Sequence, residues 1–96
     1  MKQKVYDYLK TIPKGRVTTY GKIAEYLGNK NLARTVGNIL HNNPYPDIYP
    51  CYKVVNSKGE LAENFAFGGI IAQKELLLKD GIKIKNNKVD LSVYLF

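Results

Sequence analysis

Between Thr19 and Asn42 the chain has room for two short helices and little else. Tyr20, Ile23, Ala24 and Leu27 recur at helical spacing, Leu32, Val36, Ile39 and Leu40 do so again, and Gly28-Asn29-Lys30 stands between the two sets. Thr19 can cap the first helix, Gly28 can end it, and Asn31 can cap the second, which the pattern extends from Leu32 to about Asn42. Two short helices about a tight glycine turn predict a helix-turn-helix. On the second helix Arg34, Asn38 and His41 gather opposite the apolar stripe. That face is equipped to hydrogen-bond DNA, and it reads equally as the wet side of a surface helix.

Around this pair the pattern places an amphipathic helix over Lys2 to Ile12, with Val5, Tyr8, Leu9 and Ile12 inward, ended by Pro13-Lys14-Gly15. After Asn43-Pro44-Tyr45-Pro46 the stretch Pro50 to Val55 reads as extended, and Asn56-Ser57-Lys58-Gly59 as a turn that folds it into a hairpin wing with Glu60-Leu61. Phe67-Gly68-Gly69 leads into a helix from Ile70 to Asp80 closed by Gly81, and a terminal hairpin is expected around Asn86-Asn87. The expected fold is mainly α with small β elements (α+β), a winged helix-turn-helix. With 96 residues it is expected to be a single domain over residues 1–96 with no N-terminal domain.

A composition of 45% apolar and 24% charged residues excludes disorder as the default, and no apolar run approaches the roughly 20 residues of a membrane span. Met1 to Asp7 has no apolar core of a secretory signal, so the expected compartment is the cytoplasm, with the protein on the nucleoid when bound to DNA, or in the nucleus of a eukaryote. A lone cysteine, Cys51, and a lone histidine, His41, provide neither a disulfide nor a structural zinc site. The net charge of +7 is concentrated at one end, since residues 1–34 carry eight basic and two acidic side chains. An anionic partner explains that excess, and so does a solvated surface.

A lone cysteine is ordinarily a small buried hydrophobe, so the reading of Cys51 depends on its neighbours. Pro50-Cys51-Tyr52-Lys53-Val54-Val55, preceded by Asn43-Pro44, resembles the active-site segment of the O6-alkylguanine-DNA alkyltransferases, usually Asn-Pro, a spacer and Pro-Cys-His-Arg-Val. Gly15 to Ala24 is similar to that family's first motif, Ala33-Arg34-Thr35-Val36-Gly37 to its recognition helix, and Gly68-Gly69 with Lys74-Glu75-Leu76-Leu77 to its closing loop and helix.

The resemblance implies base flipping and irreversible transfer of the alkyl group from guanine O6 to Cys51. It implies that Arg34 fills the gap in the stack, that Tyr20 crowds the 3′ phosphate, that Asn43 holds the turn before the thiol, and that Glu75 ends the network polarising it through position 52. It further puts Thr19, Ala33, Gly37, Asn38 and Lys53 at the DNA, and Val54, Val55, Phe65, Phe67 and Gly68 about the base. The implied partner is double-stranded DNA carrying O6-alkylguanine, bound by a monomer without metal or cofactor. Read without the resemblance, Tyr20 is buried stripe, Asn43 a turn former and Glu75 a solvated charge.

Three departures stand out. Tyr52 replaces the family's histidine, Lys53 its arginine, and Ala66 stands where a tyrosine commonly helps bind the base. A phenol with an ordinary pKa near 10 is a poor base at neutral pH, so transfer is expected to be slow. His41 is expected to offer no rescue, because the wheel puts it on the DNA-facing side. Three functions follow: a slow single-turnover alkyltransferase, a non-catalytic alkyltransferase-like protein that binds lesions and signals another repair pathway through a protein partner, and a winged-helix regulator.

Overall fold

The structure, a computed structural model, describes residues 1–62 and 65–96. Helix α1 (Lys2–Thr11) buries Val5, Tyr6 and Leu9, and Ile12 is buried just beyond it. Tyr6 goes deeper than Tyr8 because its hydroxyl donates to the Ile39 carbonyl at 3.1 Å, which lets the ring stack on Tyr49 with centroids 4.8 Å apart.

Strand β1 (Thr18–Thr19) runs directly into α2 (Tyr20–Tyr26). The Thr19 hydroxyl accepts the Lys22 N–H at 3.1 Å as the expected cap, and Gly28 ends the helix at φ +93°. The next cap differs from expectation. Asn29, not Asn31, supplies it, accepting the Asn31 N–H at 2.9 Å and opening a 3-10 turn, Lys30–Leu32. That turn consumes the residues before α3 (Ala33–His41), which starts without a side-chain cap. Val36, Ile39 and Leu40 are buried in α3, while Arg34, Asn38 and His41 face outward as the wheel requires.

The wing departs most. Cys51–Lys53 is a 3-10 turn, and only Val54–Val55 (β2) is strand. It pairs in parallel with β1, Thr18 opposite Val54 and Thr19 opposite Val55, instead of folding back on Glu60-Leu61. The Asn56 to Gly59 turn does form, its Asn56 carboxamide oxygen accepting the Lys58 and Glu60 N–H groups at 2.9 Å, but Glu60 then bridges to Lys88.

Helix α4 (Gly69–Lys79) buries Gln73 and Leu77 and is stopped by Gly81 at φ +87°. Strands β3 (Ile84–Lys85) and β4 (Lys88–Val89) form the expected antiparallel hairpin, with Asn86 and Asn87 both left-handed as its two-residue turn demands. After α5 (Leu91–Tyr94) the tail lies along Val17, whose N–H donates to Tyr94 at 2.9 Å and whose carbonyl accepts from Phe96 at 2.7 Å. The result is mostly helical with small strands, a winged helix-turn-helix. Among the described residues no helix is long and apolar enough to cross a membrane.

Alternation along β2 divides the core. Val54 joins Val5, Leu9, Ile23, Val36 and Cys51 in a cluster among α1, α2 and α3. Val55 points the other way, into a cluster with Val17, Leu61, Leu77, Ile82 and Val89. The same split separates Cys51, in the first cluster, from Tyr52, which packs against the second.

Candidate active site and nucleic-acid interface

Cys51 opens the 3-10 turn and is 6% exposed. It lines a cavity of about 50 Å³ together with Tyr20, Gly37, Leu40, His41, Val54, Ala62, Phe65, Ala66, Phe67 and Gln73. That volume suits a water or two rather than a purine. The mouth lies between the outer face of α3 and the 65–67 segment, since Tyr20, Gly37, Asn38, His41, Phe65 and Ala66 also line the adjoining open groove. A larger recess of about 550 Å³ also reaches Cys51, past Ile12, Pro46, Ile48 and Leu76, and shares Phe65 and Phe67 with the cavity.

The thiol is not activated by its surroundings. Burial pushes its pKa up, and the Asn43 side chain and a backbone hydrogen bond only partly offset this. Asn43 is itself buried and pins the turn, donating to the Tyr49 carbonyl at 2.8 Å and accepting the Tyr45 N–H at 3.0 Å. Tyr52 is no base: its hydroxyl donates to Asp80 at 3.1 Å, and burial followed by the Asp80 charge pushes its pKa up to about 12.

Several expected positions are corrected. Lys53 is not at the surface. It is 6% exposed, its ammonium lies 3.5 Å from the Asp80 carboxylate, and it donates to the Ile12 carbonyl at 3.1 Å and the Pro13 carbonyl at 3.4 Å. Thr19 is buried, its hydroxyl spent on the α2 cap. Glu75 is exposed on α4, because five residues of helix turn it well away from the face that carries Asp80. The carboxylate meeting position 52 is Asp80, which also accepts the Gly15 N–H at 3.2 Å. Val55 belongs to the second cluster, not to the cavity. Gly68 is exposed and turns the backbone at φ +117° ahead of α4 without lining the cavity. His41 does face outward, but the cavity opens on that same side, so it lines the cavity that holds Cys51.

Other expected residues do come together. Tyr20, Gly37, Val54, Phe65 and Phe67 line the cavity, with the two phenylalanines edge to face at 5.7 Å. A Cβ on Gly37 would meet the Tyr20 ring at 3.9 Å. Asn38 is exposed and lines the groove, Arg34 is exposed on the same face of α3, and Ala33 is half-buried at the start of that helix.

Residues 1–82 match the family model described as 6-O-methylguanine DNA methyltransferase, DNA binding domain. The chain belongs to this family. Among its methyltransferase relatives it is similar to a bifunctional methyltransferase/endonuclease of Picrophilus torridus, 41% identical over 92 residues, which are 96% of this chain and 30% of that protein. It is also similar to alkyltransferase-like protein 1 of Schizosaccharomyces pombe, 39% identical over 84% of this chain and 75% of that protein. The solved structure of S. pombe Atl1 with damaged DNA containing O6-carboxymethylguanine superposes with a TM-score of 0.89 at 33% identity, over 99% of this chain and 93% of that one. The chain thus spans under a third of the bifunctional relative but most of the yeast protein.

Asp80 and Gln73 escaped the sequence reading, though each left a signal. Asp80 is an acid in the last turn of a helix, where the macrodipole opposes it unless something compensates. Gln73 interrupts the inward row Ile70, Gln73, Leu77 with a buried amide that must find partners. Among the described residues no cluster of His, Cys, Asp and Glu could hold a metal ion.

Proposed function

We propose that the chain binds O6-alkylguanine in duplex DNA, takes the flipped base toward Cys51, and accepts the alkyl group on that thiol in one slow turnover. The observation carrying this reading is that Cys51 lines a cavity whose adjoining groove is lined by Asn38 and His41, on the outward face of α3 that also carries the exposed Arg34. O6 is inaccessible inside the stack, so the base has to leave it. Arg34 then occupies the vacated step from the minor groove. In the transfer, sulfur bonds to the alkyl carbon, the bond from that carbon to O6 breaks, and the thiol proton is balanced by the one the released guanine takes up. The thioether has no easy route back to a thiol, so stoichiometry does not exceed one.

A second reading, lesion binding without transfer, is favoured by one specific observation: Tyr52 is a donor to Asp80, and the thiol pKa is raised. In that case the bound complex would signal to another repair protein. Intact mass after incubation with duplex O6-methylguanine decides between the two. The expected result is the gain of one methyl group, confined to Cys51 and absent from Cys51→Ala. An unchanged mass with retained preference for the lesion would replace transfer by the second reading. Preference for a particular unmodified sequence would replace both by a regulator.

A further inference from the structure

Gln73 is fully buried on α4, and its carboxamide meets three backbone groups. Its nitrogen donates to the carbonyls of Tyr52 and Val54, each at 3.0 Å, and its oxygen accepts the Ala62 N–H at 2.7 Å. Only one orientation of the amide satisfies two acceptors and one donor, so the partners fix it.

Two of those partners, Val54 and Ala62, belong to residues that line the cavity, and the third, Tyr52, follows Cys51 in its 3-10 turn without lining it. Strand β2 is paired on one edge, with β1. On the other, Gln73 takes the Val54 carbonyl where a neighbouring strand would. We infer that Gln73 is a positioning residue that sets the spacing between the Cys51 turn and the backbone at Ala62, and through it the discrimination between alkylated and unmodified guanine. The part about discrimination rests on the proposed function, whereas the hold on the Cys51 turn does not.

Two variants separate the halves of this clamp. Gln73→Met keeps the volume and loses all three hydrogen bonds. Gln73→Lys can still donate to both carbonyls but cannot accept from Ala62. Two readouts apply: the rate at which iodoacetamide modifies Cys51, followed by intact mass, and the ratio of affinities for O6-methylguanine and unmodified duplex.

Three unmade hydrogen bonds in Gln73→Met should raise the labelling rate about tenfold or more, while Gln73→Lys stays within about threefold of the parent. Lesion preference should fall about fivefold or more in both, because each releases Ala62, with affinity for unmodified duplex held within about twofold.

Unchanged labelling in Gln73→Met, or a parallel loss of affinity for both duplexes, would overturn the inference. Should Gln73→Met not fold by circular dichroism, a folded Gln73→Lys with full lesion preference overturns it. A parent protein without lesion preference would remove the proposed function and the discrimination with it, and the labelling order would still test the hold on Cys51.

Discussion

At the scale of single residues, the chemistry turns on Asp80 having three partners, the Gly15 N–H and two side chains. Lys53 pairs with it and Tyr52 donates to it, so the carboxylate is occupied and Tyr52 is not a base for the thiol. Because burial raises the Cys51 pKa, the thiolate fraction at neutral pH is small and grows as pH rises. Single-turnover transfer should therefore climb steadily through the mildly alkaline range, with no plateau near pH 7. Tyr52→His, placed where Asp80 can orient an imidazole, should accelerate neutral-pH transfer by about 10², and Tyr52→Phe should leave the rate near the parent's. A rate in Tyr52→His no faster than the parent's would remove position 52 from the activation of the thiol.

Stability gives this network a separate test. The Tyr52 pKa, raised to about 12 from 10.0, contributes stability that is whole below pH 10 and lost as pH rises through about 12. Tyr52→Phe should flatten that part of the alkaline unfolding curve. Lys53→Met strands a largely buried carboxylate and should cost roughly 3 kcal/mol in urea unfolding.

Among the elements, helices α1 to α4 were legible because their burial follows a local period, and the stripes on α2 and α3 needed nothing distant to form, whereas the single turn α5 is too short to show a period. The wing was not legible. Val54 and Val55 are apolar in succession, which fits an extended stretch beside a turn, but their partner is Thr18–Thr19, and no local pattern encodes a parallel pairing across that separation. The Asn56 turn was read correctly and its partner was not, since the Val89 N–H reaches the Gly59 carbonyl at 2.8 Å. Gly59 has φ +82°, and a Cβ there would collide with the Val89 carbonyl oxygen, which as strand backbone cannot give way. Gly59→Ala should thus destabilise by more than about 1 kcal/mol, seen as a lower urea midpoint. A neutral result would mean that this turn and β4 separate readily.

For the whole molecule, the charge asymmetry read from the sequence is only partly available to a polyanion. Of the eight N-terminal bases, Arg16 donates to the Val93 carbonyl, Lys22 donates to the Phe96 carbonyl at 2.9 Å, and Lys30 lies 3.8 Å from Glu25. Were roughly four of the remainder to reach phosphates, the log-log dependence of duplex affinity on salt would have a slope of about −4. A slope near zero would reduce the excess charge to solubility. Within the candidate site, the placement of Cys51 and Tyr20 on one cavity and the exposure of Arg34 on α3 were legible, because motif and helical period are local. The burial of Lys53 and Thr19 and the facing of Glu75 were not, because they depend on contacts made far along the chain.

Those distant contacts also determine when the thiol becomes sheltered. The turn that begins at Cys51 is held by Lys53 across 41 residues to Ile12, by Gln73 across 21 residues to Tyr52, and by the parallel pairing to β1. Contacts of such long sequence separation close slowly compared with helices. A chain leaving the ribosome would therefore have its helices before its cysteine is covered, and in that interval the sulfur is open to peroxide and to mixed disulfides. Oxidation at this stage would yield molecules that complete their fold with the sulfur already spent.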